Sequence, residues 1–418
     1  MSWTSRSRFA ICLKSLSLAA LLAAPAAALE PPQADWANRF HIGGNAAARF
    51  QAGARDAQLD RNNGFSIYQA GLVFDVDIAP NWSFWGDMIW IREAQDASTF
   101  KEQLYIRRDS AFDQKWLNFK FGRMFTPVGE DYLHWNAVSN PLASWTVAFP
   151  WALDEGVLAF GDILPGEKLS YATSLQNGNS TLNFDDNSSK TGAIKLMSKA
   201  FPWLYTSSSF LYIGRQGNNV NAGSSEFWLS GYHLSPLGAT TSPNSAGGSV
   251  AGASPGKTVT GQLFEQDLKI MTDCAELWAN FGYLHVIDGG GHEFDRYIRY
   301  YTTQVVAPIP KTDRKAYVAA RYSKIETMSA TEGYRFAGTQ IALPTTNPNV
   351  SPYTAYNYNQ RDLYRTSLGA GYWFHKNVLA KVEYSWEDSH LITTAQSAAN
   401  NSFRGHRNFF VGELAVRF

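Results

Sequence analysis

The sequence predicts an all-β protein, a transmembrane antiparallel β-barrel of sixteen strands. Three observations carry this prediction: an amphipathic C-terminal strand, an export signal with no later membrane helix, and an even strand count. Residues 408–418 read NFFVGELAVRF, with apolar residues at alternate positions and an aromatic residue at the end. Such an edge strand would promote aggregation in a soluble sheet, whereas a closed barrel has no edge and lipid covers the apolar face.

Residues 1–28 are predicted to be a secretory signal peptide, and residues 29–418 a single outer-membrane barrel domain. Basic residues precede an apolar run at 16–24, and Ala26-x-Ala28 supplies the small residues of a cleavage site. No later segment offers the ~18 consecutive apolar residues that a membrane helix requires. We therefore expect export to the bacterial outer membrane, with cleavage after Ala28.

Charge and cysteine content exclude several functional classes. Without the signal, the chain has 33 basic and 36 acidic residues, a net charge of −3, which argues against nucleic-acid binding. Cys274 is the one cysteine left, so the sequence predicts no intrachain disulfide, and no C-x-x-C-H haem motif is present. The aromatic content of 14% suits a barrel with aromatic girdles, although an aromatic-rich soluble β domain is the alternative.

Counting backwards from the C-terminus gives sixteen segments with alternating apolar residues, in which 378–388, for example, carries Val382, Tyr384 and Trp386 on one face. In chain order the segments are 39–51, 65–78, 82–92, 102–108, 116–123, 155–163, 168–176, 191–200, 203–214, 259–271, 275–287, 296–307, 314–327, 364–374, 378–388 and 408–418. Bacterial barrels have even strand numbers, so this count is self-consistent.

The connections alternate between short turns and long polar loops. The short ones, such as Ala79-Pro80-Asn81 and His375-Lys376-Asn377, are predicted to be periplasmic turns. The long loops are predicted at 124–154, 215–257, 328–360 and 389–407. Residues 226–235 look like strands within the second of these loops, and we interpret them as a loop hairpin because a further barrel strand would break the even count.

The loop at 124–154 is the candidate pore constriction. Residues 124–167 contain no Lys or Arg, and an inward-folded acidic loop would favour cations. The predicted constriction residues are Arg123, Glu130, Asp131, His134, Asp154 and Glu155. A solvated external loop is the alternative. Its aromatic residues would either anchor the loop to the wall or form a stacking surface for sugars or aromatic solutes.

Charged residues within the strands are predicted to face the lumen, because a charge facing lipid costs about 2–4 kcal/mol at the midplane. The basic ones are Arg49, Arg107, Lys120, Lys195, Arg299, Arg321, Arg365 and Lys381. The opposing acidic ones are Asp75, Asp77, Asp87, Glu265, Asp267, Glu383 and Glu413. We expect these charges to pair across the lumen; a track of arginines for solutes is the alternative.

Nothing in the sequence indicates catalysis, so the chain is predicted not to be an enzyme and to have no cofactor and no metal. It contains neither a G-x-S-x-G nor an H-E-x-x-H motif. The segment GGGHEFD at 289–295 offers three metal-ligand types, but its glycines favour a flexible turn.

The segment GRMFTPVGEDYL (122–133) resembles the G-R-x-x-T-P-x-G-x-x-Y-L segment of phosphate-selective porins of the O/P type. Residues 154–178 resemble a hairpin of the same family. The resemblance implies a sixteen-stranded, often trimeric porin whose third loop folds into the lumen, with anions or phosphate passing basic side chains at the constriction. This chain has no Lys or Arg between Arg123 and Lys168, so that phosphate-binding cluster has no counterpart in the loop.

The predicted function is a water-filled, weakly charge-selective channel for passive diffusion of small hydrophilic solutes or ions. Alternatives are a phosphate- or anion-selective porin, a barrel that sheathes a partner such as a multihaem cytochrome, and an adhesin or phage receptor displayed on the long loops. The predicted partners are outer-membrane lipid, the solutes and further copies of the chain in a homotrimer, without nucleic acid.

Overall fold

The computed structural model describes residues 38–53, 64–92, 98–131, 136–147, 150–151, 153–178, 189–216, 228–229, 232–233, 259–288, 296–327, 340–341, 356–393 and 402–418. The chain divides into two compact units, Met1–His41 and Ile42–Phe418. The predicted signal peptide and its cleavage site lie outside the described residues, and they stay predictions. Apart from the first two residues of its first strand, Phe40 and His41, the barrel described below consists of residues of the second unit.

Sixteen long strands form the barrel, in agreement with the predicted count. They are β1 (Phe40–Gly53), β2 (Gly64–Ala79), β3 (Trp82–Arg92), β4 (Ser98–Arg108), β5 (Asn118–Phe125), β6 (Leu153–Leu164), β7 (Leu169–Gln176), β8 (Thr191–Phe201), β9 (Leu204–Gln216), β10 (Val259–Met271), β11 (Glu276–Asp288), β12 (Arg296–Pro308), β13 (Ala316–Thr327), β14 (Tyr356–His375), β15 (Val378–Thr393) and β16 (Ser402–Arg417). Within the described residues, no helix is long and apolar enough to cross a membrane.

Antiparallel pairing of neighbours closes the sheet into a cylinder. Every strand pairs with the next along the chain, and β16 returns to pair with β1, where Glu413 lies opposite Arg49. The terminal residue continues this seam, because Gly44 and Phe418 exchange two backbone hydrogen bonds of 2.9 and 3.0 Å. The predicted closed, antiparallel, sixteen-stranded barrel is confirmed.

Burial along the strands is inverted relative to a soluble protein. On one face, apolar side chains such as Leu368, Val382 and Leu414 are nearly half exposed. On the other face, charged side chains such as Glu265 and Lys381 are almost fully buried. The alternation places the apolar set outside, where lipid can cover it, and the polar set inside.

The strands near the C-terminus are longer than their apolar pattern indicates. β14 begins at Tyr356 instead of 364, β15 continues to Thr393, and β16 begins at Ser402. Polar segments such as residues 356–361 continue the backbone ladder, because strand pairing does not end where apolar alternation ends. Apolar alternation therefore marks the part of a strand that faces lipid, and the ladder extends beyond it.

The predicted loop hairpin is present in the connection between β9 and β10. Trp228–Leu229 pairs with Tyr232–His233, outside the barrel sheet. Trp228–Leu229 also pairs with Pro150–Trp151, which lies at the end of the loop between β5 and β6. The backbone of one long loop is thus hydrogen-bonded to that of another.

A glycine on the inner wall can test this packing. A Cβ on Gly282 would lie 1.9 Å from Cζ of Tyr300, whose side chain is fully buried and whose hydroxyl donates to Glu265 at 2.5 Å. We expect Gly282→Ala to lower the free energy of unfolding by about 1–3 kcal/mol through overpacking. Urea unfolding of the liposome-inserted barrel, followed by tryptophan fluorescence, measures this change.

Gly192→Ala is the matched control, because its Cβ would meet nothing closer than 3.7 Å. Equal stability losses in the two variants would contradict this account of Tyr300.

Candidate functional site

The loop between β5 and β6, called L3 here (residues 126–152), folds against the inner wall of the barrel. The amide of Gly129 donates to Ser209 of β9 at 3.1 Å, and the amide of Ala137 donates to Gln69 of β2 at 2.8 Å. The amide of Val147 donates to Ser323 of β13 at 3.1 Å. L3 therefore crosses from one side of the barrel to the other and returns.

Wall cations on β15 and β1, the two strands that flank β16, hold the middle of L3 by its backbone carbonyls. The ammonium of Lys381 on β15 donates to the carbonyl oxygens of Ala137, Asn140 and Leu142 at 2.6, 3.0 and 3.1 Å. Arg49 on β1 donates to the carbonyl of Ala143. Ordered carbonyls away from water need donors, and these two side chains supply them.

A shared carboxylate, that of Glu413 on β16, balances both of these cations. It accepts hydrogen bonds from Arg49, 2.6 Å from Nη2, and it lies 2.6 Å from the Lys381 ammonium. The three side chains are almost fully buried. Buried charges are retained when they are paired and hydrogen-bonded, and the ladder brings the three together since Glu413 lies opposite both Arg49 and Lys381.

The next turn of L3 is held by a second charged group. Arg321 of β13 donates to the Ser144 carbonyl at 2.8 Å and to Asn140 Oδ1 at 2.6 Å, and Arg365 of β14 donates to the Trp145 carbonyl at 2.9 Å. The Glu383 carboxylate accepts hydrogen bonds from the amide, at 2.7 Å, and from the hydroxyl of Ser144. L3 thus presents carbonyl oxygens, and most of the wall side chains that bind them are cations.

The predicted acidic constriction residues of L3 are engaged in contacts with the protein itself. Glu130 lies 2.5 Å from the Lys195 ammonium and accepts a hydrogen bond from the Tyr205 hydroxyl. Asp131 accepts a hydrogen bond from Thr146, which ties the two ends of the described part of L3 together. These two carboxylates stabilise the fold of the loop.

Asp154, a further predicted constriction residue, is held by backbone amides. Asp154 is buried on the inner face and accepts hydrogen bonds from the amides of Glu155, at 2.7 Å, and Gly178. His134 lies outside the described residues.

By strand alternation Arg123 and Glu155 lie on the outward side of β5 and β6, and their role at the constriction stays a prediction. The two residues are opposite each other in the ladder and share the outward side with Val157, which is 41% exposed. They were predicted at the constriction because they flank the acidic loop, and a position beside a loop does not determine the face on which a strand side chain lies.

Seven of the eight predicted lumen cations lie on the inward side, and Arg299 does not. In β12 the buried residues are Ile298 and Tyr300, so Arg299 points outward, where it pairs with Glu326. The prediction fails because β12 carries large apolar residues on both faces. The other seven are Arg49, Arg107, Lys120, Lys195, Arg321, Arg365 and Lys381.

Sequence reasoning missed an aromatic surface on the inner faces of β3–β6. Trp85 and Tyr105 stack with ring centroids 6.4 Å apart, and Phe160 packs against the same cluster. These rings and Lys120 line a cavity of about 530 Å³. In the sequence, Trp85 and Tyr105 alternate in step with the charged residues of their strands, Asp87 and Arg107. This alternation could have predicted that the two rings face the lumen.

Among the described residues, no cluster of His, Cys, Asp or Glu is arranged to hold a metal ion. The candidate segment at 289–295 lies outside them.

The fold matches solved outer-membrane proteins at low sequence identity. The structures include OmpT of Vibrio cholerae (10% identity, TM-score 0.54, covering 91% of this chain and 97% of that one) and an anion-selective porin from Comamonas acidovorans (9%, 0.53, 91% and 99%). OmpF of Salmonella typhi is a third (11%, 0.52, 91% and 97%). No protein-family model matches, and no curated protein matches.

These comparisons show that the chain has the fold of outer-membrane porins, and its exposed apolar belt is that of a barrel in the bacterial outer membrane. They do not confirm the phosphate-selective O/P type.

The prediction that the chain is not an enzyme requires correction. Matched structures include several of OmpT, at about 10% identity, and a likeness at that level shows the fold alone. One fold can carry unrelated activities, so the absence of catalytic motifs from the sequence does not exclude an enzyme.

The anchoring of L3 can be tested at Arg321. We expect Arg321→Met to loosen L3, because it removes charged hydrogen bonds that are each worth about 1.5–3 kcal/mol. The measurement is single-channel current noise together with the rate of proteolysis within L3, and both should increase.

The matched control is Arg299→Met on the outer face. Noise and proteolysis that are unchanged in Arg321→Met would argue against the anchoring role.

Proposed function

We propose that this protein is a channel of the outer membrane through which small hydrophilic solutes and ions diffuse passively, with weak charge selectivity. The observation that carries the proposal is the path of L3. The loop is tied to the inner wall from β9 to β2 and back to β13, while the inner faces of β3–β6 line a cavity. A polar interior narrowed by a fixed loop suits selective diffusion.

Weak selectivity follows from the way charges are paired on the wall. Arg49 and Lys381 share Glu413, and Arg365 pairs with Glu387 at 2.5 Å. Paired charges contribute little net field to a passing ion. The remaining field near β2–β5 is mixed, with Arg107 and Lys120 facing the same interior as the acidic residues of β2 and β3, which are Asp75, Asp77 and Asp87.

The assembly that we propose is a homotrimer in outer-membrane lipid. Support comes from one matched structure, in-vitro folded OmpT of Vibrio cholerae, which is described as a trimer form. Chemical cross-linking in native membranes distinguishes a trimer from a monomer.

Conductance of the purified full chain in planar bilayers tests the channel. We expect stepwise, ohmic currents, with a small reversal potential in a tenfold KCl gradient because selectivity is weak. A barrel that inserts into the bilayer without conducting ions would contradict the channel proposal and favour a sheath around a partner.

The contribution of individual charges can be separated by two variants. We expect Lys120→Glu to move the reversal potential towards cation selectivity, because Lys120 lines the cavity. Glu130→Gln should move it less, and towards anion selectivity, because Glu130 and Lys195 are largely buried and do not line the cavity. Reversal potentials in the same salt gradient provide the measurement, and a larger shift for Glu130→Gln would contradict this assignment.

A further inference from the structure

The inner faces of β3–β6 carry a surface unlike the rest of the described inner wall. Elsewhere the apolar inward residues, such as Leu211 and Leu263, are fully buried in a cluster that includes Val147 of L3. Here Trp85 and Tyr105 stack with an interplanar angle of 17°, and Phe160 packs beside them over buried Met124 and Leu158. Aromatic faces beside a water-filled lumen gain free energy when a solute covers them.

Two cations approach these rings. The Lys120 ammonium lies 4.4 Å from the ring centroid of Tyr105 and 5.6 Å from that of Phe160. The Arg107 guanidinium lies 5.4 Å from the same Phe160 centroid. Arg107 is paired with Asp109 at 2.8 Å, whereas the contacts of the Lys120 ammonium are with the Tyr105 and Phe160 rings. A positive charge is therefore available at the edge of an aromatic surface.

The acidic residues around the same cavity have other partners. Asp162 accepts a hydrogen bond from Ser170 at 2.6 Å, and Glu167 pairs with Lys199 at 2.8 Å. Asp87 accepts one from Gln103 at 3.3 Å. Asp109, whose carboxylate charge acts on Lys120, is itself paired with Arg107, so the Lys120 ammonium is accessible to an incoming anion.

We propose that this surface is a binding subsite for planar aromatic monocarboxylates passing through the channel. The carboxylate contacts Lys120, and the ring lies against Tyr105 and Phe160. The cavity of about 530 Å³ is within the usual range for small-molecule sites, about 300–1,000 Å³. A neutral sugar would leave the ammonium without a partner, and inorganic phosphate would leave the rings uncovered. The inference rests on the proposed channel function and specifies its solute.

Benzoate is the probe, and acetate and glucose are its controls. Each is added at equal concentration to single channels of the full chain in planar bilayers. We expect benzoate to reduce the current with a saturating concentration dependence, while acetate and glucose at the same concentrations do not, because acetate lacks a ring and glucose lacks a charge.

Variants assign the effect to individual side chains. Lys120→Gln should weaken the apparent affinity for benzoate about tenfold, the loss expected for one charged contact. Phe160→Leu keeps the apolar volume and should weaken it about threefold. Lys199→Gln is the matched control on the same cavity, because Lys199 is already paired with Glu167, and its affinity for benzoate should equal that of the wild type.

Open-channel conductance without benzoate shows that each variant has folded and inserted. A conducting wild-type channel that benzoate blocks no better than acetate would overturn the subsite and leave the channel proposal standing. Equal weakening by Lys120→Gln and Lys199→Gln would also overturn it, because general charge would then explain the binding. A wild-type barrel that never conducts would refute the channel itself.

Discussion

The contact between wall cations and the carbonyls of L3 is the interaction on which the shape of the interior depends. Lys381, Arg49, Arg321 and Arg365 donate to the carbonyls of six L3 residues, which are Ala137, Asn140, Leu142, Ala143, Ser144 and Trp145. Residues 136–147 contain no charged side chain. The loop therefore adds carbonyl dipoles without adding counter-charges, and Glu413, Glu383 and Glu387 on the wall balance the cations.

This arrangement has a consequence for selectivity. In a lumen with free arginines and lysines, the basic side chains would attract anions directly. Here the buried cations of β13–β15 and β1 bind L3, and their charge is balanced nearby. The cations that line the open cavity lie on other strands, Lys120 on β5 among aromatic rings and Lys199 on β8. Position relative to L3 thus separates structural cations from those that a solute can reach.

The sequence predicts much of the fold because a membrane barrel imposes simple rules. Lipid requires an apolar outer face and closure removes strand edges, so alternation, short turns and an even count suffice to locate all sixteen strands. Their ends are less well predicted, and β14 begins eight residues before its predicted start. The errors occur where these rules weaken. Arg299 lies in a strand with apolar residues on both faces, so alternation alone assigned its direction incorrectly.

The sequence by itself determined the barrel, its strands and the inward direction of most wall charges, since a period of two and the cost of a charge in lipid act locally along the chain. The tertiary structure alone decided what those charges do. Arg49 and Ala143 are 94 residues apart, and Lys381 and Ala137 are 244 apart. No local pattern links such residues, because barrel closure and the inward fold of L3 bring them together. The same closure leaves Lys120 facing open space beside Tyr105 and Phe160.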